Sequence, residues 1–410
     1  MNKNIFHNYK SYILIIESLY FNNILSIVDI SKATGMSIPT TTKNIQELVQ
    51  TGYIAEKGIG SSKGGRKPAM YSLVADKTSL IAVAMDQFYT KIVLVDLSGK
   101  FISEIVEIEL DLKNDPSPVD VLTEQIQALI LLSGINKSDF CGIGISMPGF
   151  IDPEKGINYS FFTTNDVSIQ QLISQKTGLP VFVDNDSSTI ALAELRFGKG
   201  LSVKEAMVIN LGWGIGLGMI VNGQLFRGFN GFAGEFSHMP LFNNNKLCSC
   251  GKRGCLETEA SLITLEDDAI DAINKGEITT IIPKNNKVTI AAIIDEALKG
   301  DAYAIKLISE SAYHIGRAIA VLIHILNPQT IVLSGKGIKA GKLWLAPVQQ
   351  ALNEFCIPTL ITDTDVVLSQ LGCDAQLIGS AALVIENLNK SFFKIDKQPA
   401  KRSSSNFFWY

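Results

Sequence analysis

Four residues in the middle of the chain carry the clearest chemistry. His238, Cys248, Cys250 and Cys255 form the pattern His-x9-Cys-x-Cys-x4-Cys, one imidazole and three potential thiolates. That is the ligand set of a closed, tetrahedral zinc site of the structural kind, so Zn2+ is the expected cofactor. Gly251 and Gly254 lie between the ligands, where a short loop must turn tightly around an ion, and Lys252 and Arg253 would offset part of the thiolate charge. A metal-bound imidazole has its orientation fixed, so its second nitrogen can hold a hydrogen bond at a set angle. Glu235 stands three residues before His238, on the same side of any helical turn. Two fixed polar groups would then face one cavity. The remaining cysteines, Cys141, Cys356 and Cys373, show no pairing pattern and suit buried, reduced thiols.

The surrounding stretch contains Gly212-x-Gly214-x-Gly216, then Asn222-Gly223, then Gly234-Glu235-x-x-His238, then Cys248-x-Cys250-Gly251-x-x-Gly254-Cys255-x-Glu257. In this order the motifs resemble the ROK family (repressors, open reading frames and kinases), and the likeness runs over nearly the whole chain. The resemblance implies an α/β, two-lobed, actin-like (ribonuclease H-like) sugar-kinase fold with the ligand in the cleft between lobes. It implies sugar contacts from Glu235, His238 and Glu257. In the segment VDNDSSTIALAE it places Asp186 where the kinases take the proton from the attacking sugar hydroxyl, and Asn185 where they hold the ring. The loop SMPGFID from Ser146 to Asp152 falls where family members touch the sugar, and Asn158 in the next loop would add an amide contact. On its residues alone, Asp186 is equally a candidate helix N-cap.

The same resemblance makes the nucleotide side informative. Kinases of this kind hold ATP phosphates on an Asp-x-Gly-Gly-Thr hairpin, whose glycines let backbone amides approach the anion. This chain reads Asp86-Gln87-Phe88-Tyr89-Thr90, places Trp213 between Gly212 and Gly214, and has Lys336 between Gly335 and Gly337. All three departures fall on the nucleotide side, while the sugar-side residues remain. A kinase-like effector domain without a competent phosphate loop is therefore expected, and Asp186 becomes a vestigial base.

These groups need elements to position them, and the chain is long enough to supply several. Its 410 residues, 46% apolar, suit two or three domains with real cores. The first 75 residues carry eight Lys and Arg against four Asp and Glu, a net +4 in a chain that is −4 overall, so the remainder is near −8. A basic head on an acidic body suggests that the head meets a polyanion. The head reads as a helix over 5–20, a second opened by Ser26 with Asp29 and closed at Gly35, and a third from Ser37 to about Gln50. That is a helix-turn-helix. Ser37, Thr40, Thr41, Thr42, Lys43 and Gln46 would face base edges in the major groove, with Ile38, Ile45, Leu48 and Val49 turned inward. Two strands around the loop KGIGSSKGGRK form a wing, on which Lys63, Arg66 and Lys67 can neutralise phosphates.

From Leu80 onward, three strands, a helix, a strand, a helix and a strand are followed by the same plan again from Ala206, with turns at Ser98-Gly99 and Asn222-Gly223 in equivalent places. The expected domains are a winged helix-turn-helix over 1–76, a two-lobed sugar-binding body over 77–388, and a disordered tail over 389–410. No stretch reads as a signal peptide or a membrane span, so a cytoplasmic protein is expected. Taken together, the sequence predicts a sugar-responsive transcriptional regulator, a repressor in form. Its partners would be double-stranded operator DNA, a sugar effector and a second copy of itself, as a homodimer or dimer of dimers. The competing reading is an active ATP-dependent sugar kinase with a DNA-binding head.

Overall fold

The computed structural model of the chain describes residues 3–60, 67–162, 168–201 and 203–389. The head is built from α1 (Lys3–Asn22), β1 (Leu25–Ser26), α2 (Ile27–Thr34), α3 (Ile38–Gln50), β2 (Ile54–Ile59) and β3 (Ala69–Leu73). Its boundaries follow local chemistry. Ser26 and Asp29 cap α2 reciprocally, Gly35 at φ 69 ends it, and the Ser37 side chain accepts from the Thr40 N–H to start α3. The strands make a small sheet in the order β1-β3-β2. The tip of the β2–β3 hairpin, with Lys63 and Arg66, lies outside the described residues, as does the expected tail beyond Asn389.

Two expectations for α3 need correction. Thr41 is fully buried and donates its hydroxyl to the Ser37 carbonyl at 3.0 Å, so it faces the head's core and not a groove. Thr41, Ile45 and Leu48 follow one another at the four- and three-residue spacing of a single helix face. Ile38 and Val49 share that spacing but stand at the two ends of the helix, where they are 51% and 40% exposed. Ser37, Thr40, Lys43 and Gln46 occupy the outer face with Thr42 beside them, and Lys67 is exposed at the wing's return.

The body begins with β4 (Ser79–Met85), β5 (Tyr89–Asp96), β6 (Val106–Glu109), α4 (Pro118–Ser133) and β7 (Phe140–Met147). A small hairpin of β8 (Ile151–Asp152) and β9 (Ile157–Asn158) follows, then α5 (Ile169–Thr177), β10 (Val181–Asn185) and α6 (Asp186–Phe197). The second half contains β11 (Ala206–Leu211), β12 (Ile215–Val221) and β13 (Gln224–Phe226), then α7 (Glu257–Ala260), α8 (Leu262–Asn274), α9 (Ile290–Lys299) and α10 (Ala302–Leu326). It closes with β14 (Thr330–Ser334), α11 (Leu345–Phe355), α12 (Pro358–Ile361), β15 (Asp365–Leu368) and α13 (Ala375–Glu386). The two five-stranded sheets have orders β10-β7-β4-β5-β6 and β13-β12-β11-β14-β15. Each is an antiparallel meander extended by two parallel strands, so the repeat expected from the sequence is a repeat of topology. The third strand of the first meander is short: Phe101 makes an isolated bridge back to Val95, and β6 begins only at Val106.

The lobes are tied by exchanged helices. α6 leaves the first sheet and packs on β11 and β12 of the second, whereas α13 leaves the second and packs on β4 and β7 of the first. Glycines set how closely they lie: a Cβ on Gly218 would stand 2.3 Å from the Ala191 Cβ, on Gly144 1.9 Å from the Ser380 carbonyl oxygen, and on Gly379 2.0 Å from the Thr189 carbonyl oxygen. Because the last two obstacles are backbone, Gly379→Ala is expected to lower stability by about 2–3 kcal/mol, read as a shift in denaturant midpoint. An unchanged midpoint would mean that α6 and α13 can part without loss.

Candidate functional site

The cleft between the lobes is a single cavity of about 1060 Å³, open enough to hold more than one sugar ring. Each wall is delivered by the end of a strand. β10 runs into α6 through Asn185, whose Oδ1 accepts from the Ser187 and Ser188 N–H groups at 2.9 and 3.2 Å and so caps the helix. Its Nδ2 donates to the Gly149 carbonyl at 3.1 Å, fixing the Pro148–Gly149 loop against the cavity. The capping task expected as an alternative for Asp186 thus belongs to Asn185, and Asp186 is left at the first helical position, facing the cleft. Burial pushes its carboxyl up to about 6, although the Ser187 N–H and hydroxyl pull the other way. Asn210, at the end of β11 in the other lobe, donates to Asp186 Oδ2 at 3.3 Å.

Glu235 and His238 sit on one 3-10 turn, and Glu257 opens α7. All three line the cavity. Burial, then the nearby Asp186 and Glu257 carboxylates, push Glu235 up to about 7. The His238 Nε2 lies 3.8 Å from Glu235 Oε2, while its Nδ1 faces the Cys248 sulfur at 3.4 Å. The ring therefore has one nitrogen toward the thiols and one toward the cavity. Asn158 is placed differently from the expectation: it is 1% exposed, donates to the Pro148 carbonyl at 3.0 Å and accepts from the Ser160 N–H at 2.9 Å. It shapes the 148–161 loop from behind and does not reach the cavity.

The four predicted metal ligands come together. His238, Cys248, Cys250 and Cys255 have ligand atoms all within 4.8 Å of one another. Ideal tetrahedral Zn2+ with sulfur at about 2.3 Å and nitrogen at about 2.0 Å has S···S edges of about 3.8 Å and N···S edges of about 3.5 Å. The Cys250–Cys255 and His238–Cys248 separations are 3.7 and 3.4 Å. Burial, then the neighbouring thiols, push the Cys255 thiol up to about 12, so a cation is what the cluster needs in order to hold thiolates. Outside the cluster, Cys356 is buried as expected, but Cys373 is exposed on the cavity wall.

On the nucleotide side the hairpin is occupied by its own side chains. Asp86 Oδ1 accepts from the Phe88 and Tyr89 N–H groups, both at 2.7 Å, and its other oxygen pairs with Lys336 from the opposite lobe. Phe88 meets Trp213 edge to face across the cleft, ring centroids 5.4 Å apart, and the Lys336 ammonium lies over the Trp213 ring at 5.2 Å. The two backbone amides at the turn are thus both bonded to the Asp86 carboxylate. A second cross-lobe ion pair was not foreseen: Arg227 donates through Nε and Nη2 to Asp184 at 2.9 and 2.7 Å, directly before Asn185. Its only sequence signal was an arginine at the edge of the glycine-rich run after β13.

A duplicated sheet with exchanged helices, a polar cleft and a helix-turn-helix head defines a sugar-kinase-like regulator. Family models agree: residues 81–387 match the ROK family and residues 13–55 a winged helix-turn-helix DNA-binding domain. The chain belongs to the ROK family and is a DNA-binding transcriptional regulator within it. It is 29% identical over 381 residues to the xylose repressor of Caldicellulosiruptor bescii, covering 92% of this chain and 95% of that protein. It is 34% identical over 260 residues to the glucokinase of Halalkalibacterium halodurans, covering 62% of this chain and 79% of that protein. Among solved structures, a ROK family transcriptional regulator described as a homologue of the Escherichia coli MLC protein superposes with a TM-score of 0.76 at 25% identity, covering 93% of this chain and 98% of that one.

Proposed function

We propose that this chain is a sugar-responsive repressor of carbohydrate metabolism whose kinase-like body senses a sugar and no longer transfers phosphate. The observation that carries the reading is the self-occupied hairpin: Asp86 takes the Phe88 and Tyr89 amides, and Lys336 takes Asp86. A triphosphate arriving there would have to displace a carboxylate and compete with it for the same donors. The sugar would sit between Asn185 and Asp186 on one lobe and Glu235, His238 and Glu257 on the other, so its binding favours one lobe separation. Zn2+ at His238, Cys248, Cys250 and Cys255 would hold the sensing imidazole. The head over 1–76 would present Ser37, Thr40, Lys43 and Gln46 to a major groove in a cytoplasmic homodimer. No helix among the described residues is long and apolar enough to cross a membrane.

Titration calorimetry with a panel of pentoses, hexoses and N-acetylhexosamines tests the sensing part, paired with an ADP-release assay on the same sugars. Saturable binding with ADP release at background is the expected outcome. Turnover that disappears in Asp186→Asn would replace this reading with that of an active kinase. For the head, log operator affinity should fall linearly with log salt, and Lys67→Ala should make the slope shallower by about 1, one phosphate contact. A slope unaffected by Lys67→Ala would remove the wing from the interface.

A further inference from the structure

The sugar site and the head lie at opposite ends of one helix. α6 begins at Asp186 in the cleft and ends at Arg196 and Phe197, 12 residues or about 18 Å later. It is clamped along its length, by Gly218 against Ser187 and Ala191 and by Gly379 against Thr189. Packing this close leaves α6 and α13 little room to shift independently of each other. The far end of α6 is engaged by the head. The Arg196 guanidinium lies 4.4 Å over the Phe21 ring of α1, and donates through Nε and Nη2 to Glu386 Oε1 of α13 at 3.1 and 2.6 Å. Phe197 meets Phe21 and Tyr20 with ring centroids 5.8 and 6.1 Å apart. Phe21 and Tyr20 are themselves buried, and one continuous core joins them to Ile45 and Leu48 of α3 and to Leu377, Leu383 and Leu388 at α13. The groove-reading helix and the two lobe-crossing helices thus share a packed joint.

We infer that the joint of Arg196, Glu386 and Phe21 is where the head reads the state of the cleft: Arg196 acts as a positioning residue that carries a displacement of α6 and α13 into α1. This rests on the sugar-sensing reading above and adds the route by which sensing reaches DNA. Arg196 is suited to it because one planar cation both stacks on the head's aromatic ring and forks onto the body's carboxylate. Lysine keeps the charge but cannot do both.

The test is a coupling measurement on the full-length, metal-loaded protein. Operator affinity is measured on a duplex selected by the wild type from a random-sequence pool, with and without the neutral aldose that binds it in calorimetry. The variants are Arg196→Lys, Glu386→Gln and Phe21→Leu, which retain charge or volume so that the fold survives. The expected result is sugar affinity within about 2-fold of wild type in every variant, while the sugar-induced change in operator affinity shrinks at least about 5-fold. Full coupling in all three variants, beside coupling in the wild type, overturns the joint and leaves the sensing function standing. A wild type that binds sugar with no change in operator affinity removes the sensing function and the joint with it.

Discussion

Removing the metal, by chelation or by Cys255→Ser, is expected to weaken sugar binding by about 30–150-fold. The loop from Met239 to Leu256 contains no regular element, only the isolated bridges Pro240–Cys255 and Leu247–Arg253. It is folded back hard: a Cβ on Gly254 would stand 2.2 Å from the Phe242 carbonyl oxygen. His238 stands just before this loop and Glu257 just after it, both lining the cleft and both placed by it, and they are two of the groups proposed to hold the sugar. Losing two oriented hydrogen bonds is worth about 2–3 kcal/mol, which gives the stated fold-change. Calorimetry before chelation, after it, and after adding back Zn2+ checks the claim, with metal content measured at each stage. Unchanged affinity in protein shown to be metal-free would leave the cluster no part in sensing. Restoration by Zn2+ separates a lost metal from a damaged fold.

What the sequence made legible was whatever depends on residue type at fixed spacing. The ligand pattern from His238 to Cys255, the cap and stop signals of α2 and α3, and the doubled meander are local, and each appears where expected. What it hid depends on tertiary placement. The helical pattern of α3 did not say that Thr41 is buried while Ile38 and Val49, at the helix's two ends, are exposed: a threonine can satisfy its hydroxyl on the preceding turn and so be buried cheaply. Asn158 is polar and in the right loop, yet its amide is consumed by that loop. The ion pairs Asp184–Arg227 and Asp86–Lys336 join residues 43 and 250 positions apart, beyond any periodicity.

The nucleotide side shows the same division. Missing glycines in the Asp86–Thr90 hairpin were visible as bulky side chains where backbone must approach an anion, and steric blockage is what such a substitution suggests. The geometry is different in kind. Phe88 and Tyr89 supply amides that Asp86 captures, and Phe88 spends its ring on Trp213 in the opposite lobe. The loop bridges the lobes with its own side chains, Asp86 to Lys336 and Phe88 to Trp213, and the sensing reading proposed above takes that bridge to stand where a nucleotide's phosphates would otherwise sit.

Asp186→Asn should separate function from stability, in opposite directions. Asparagine keeps the shape but removes a charged acceptor facing the cleft; hydrogen bonds to charged groups are worth about 1.5–3 kcal/mol, so sugar affinity should fall about 10–150-fold at neutral pH. Stability should move the other way. Burial raises the folded-state pKa to about 6 from the ordinary aspartate value of 3.8, so above pH 6 the native wild type holds a charge that its surroundings disfavour. As pH falls through 6 toward 4 the native carboxyl takes up its proton before the unfolded one does, and that penalty disappears. The variant, neutral throughout, should therefore be more stable than wild type at pH 8 by about 1–2 kcal/mol, allowing for the open face of the cleft, and the gap should close by pH 4–5. Paired denaturant melts at pH 8 and pH 5 measure it as a difference between two proteins, which cancels every other titrating group they share. A variant less stable than wild type at pH 8 would show that the bonds from Ser187 and Asn210 outweigh the burial, and that Asp186 is held for the fold and not for a sugar.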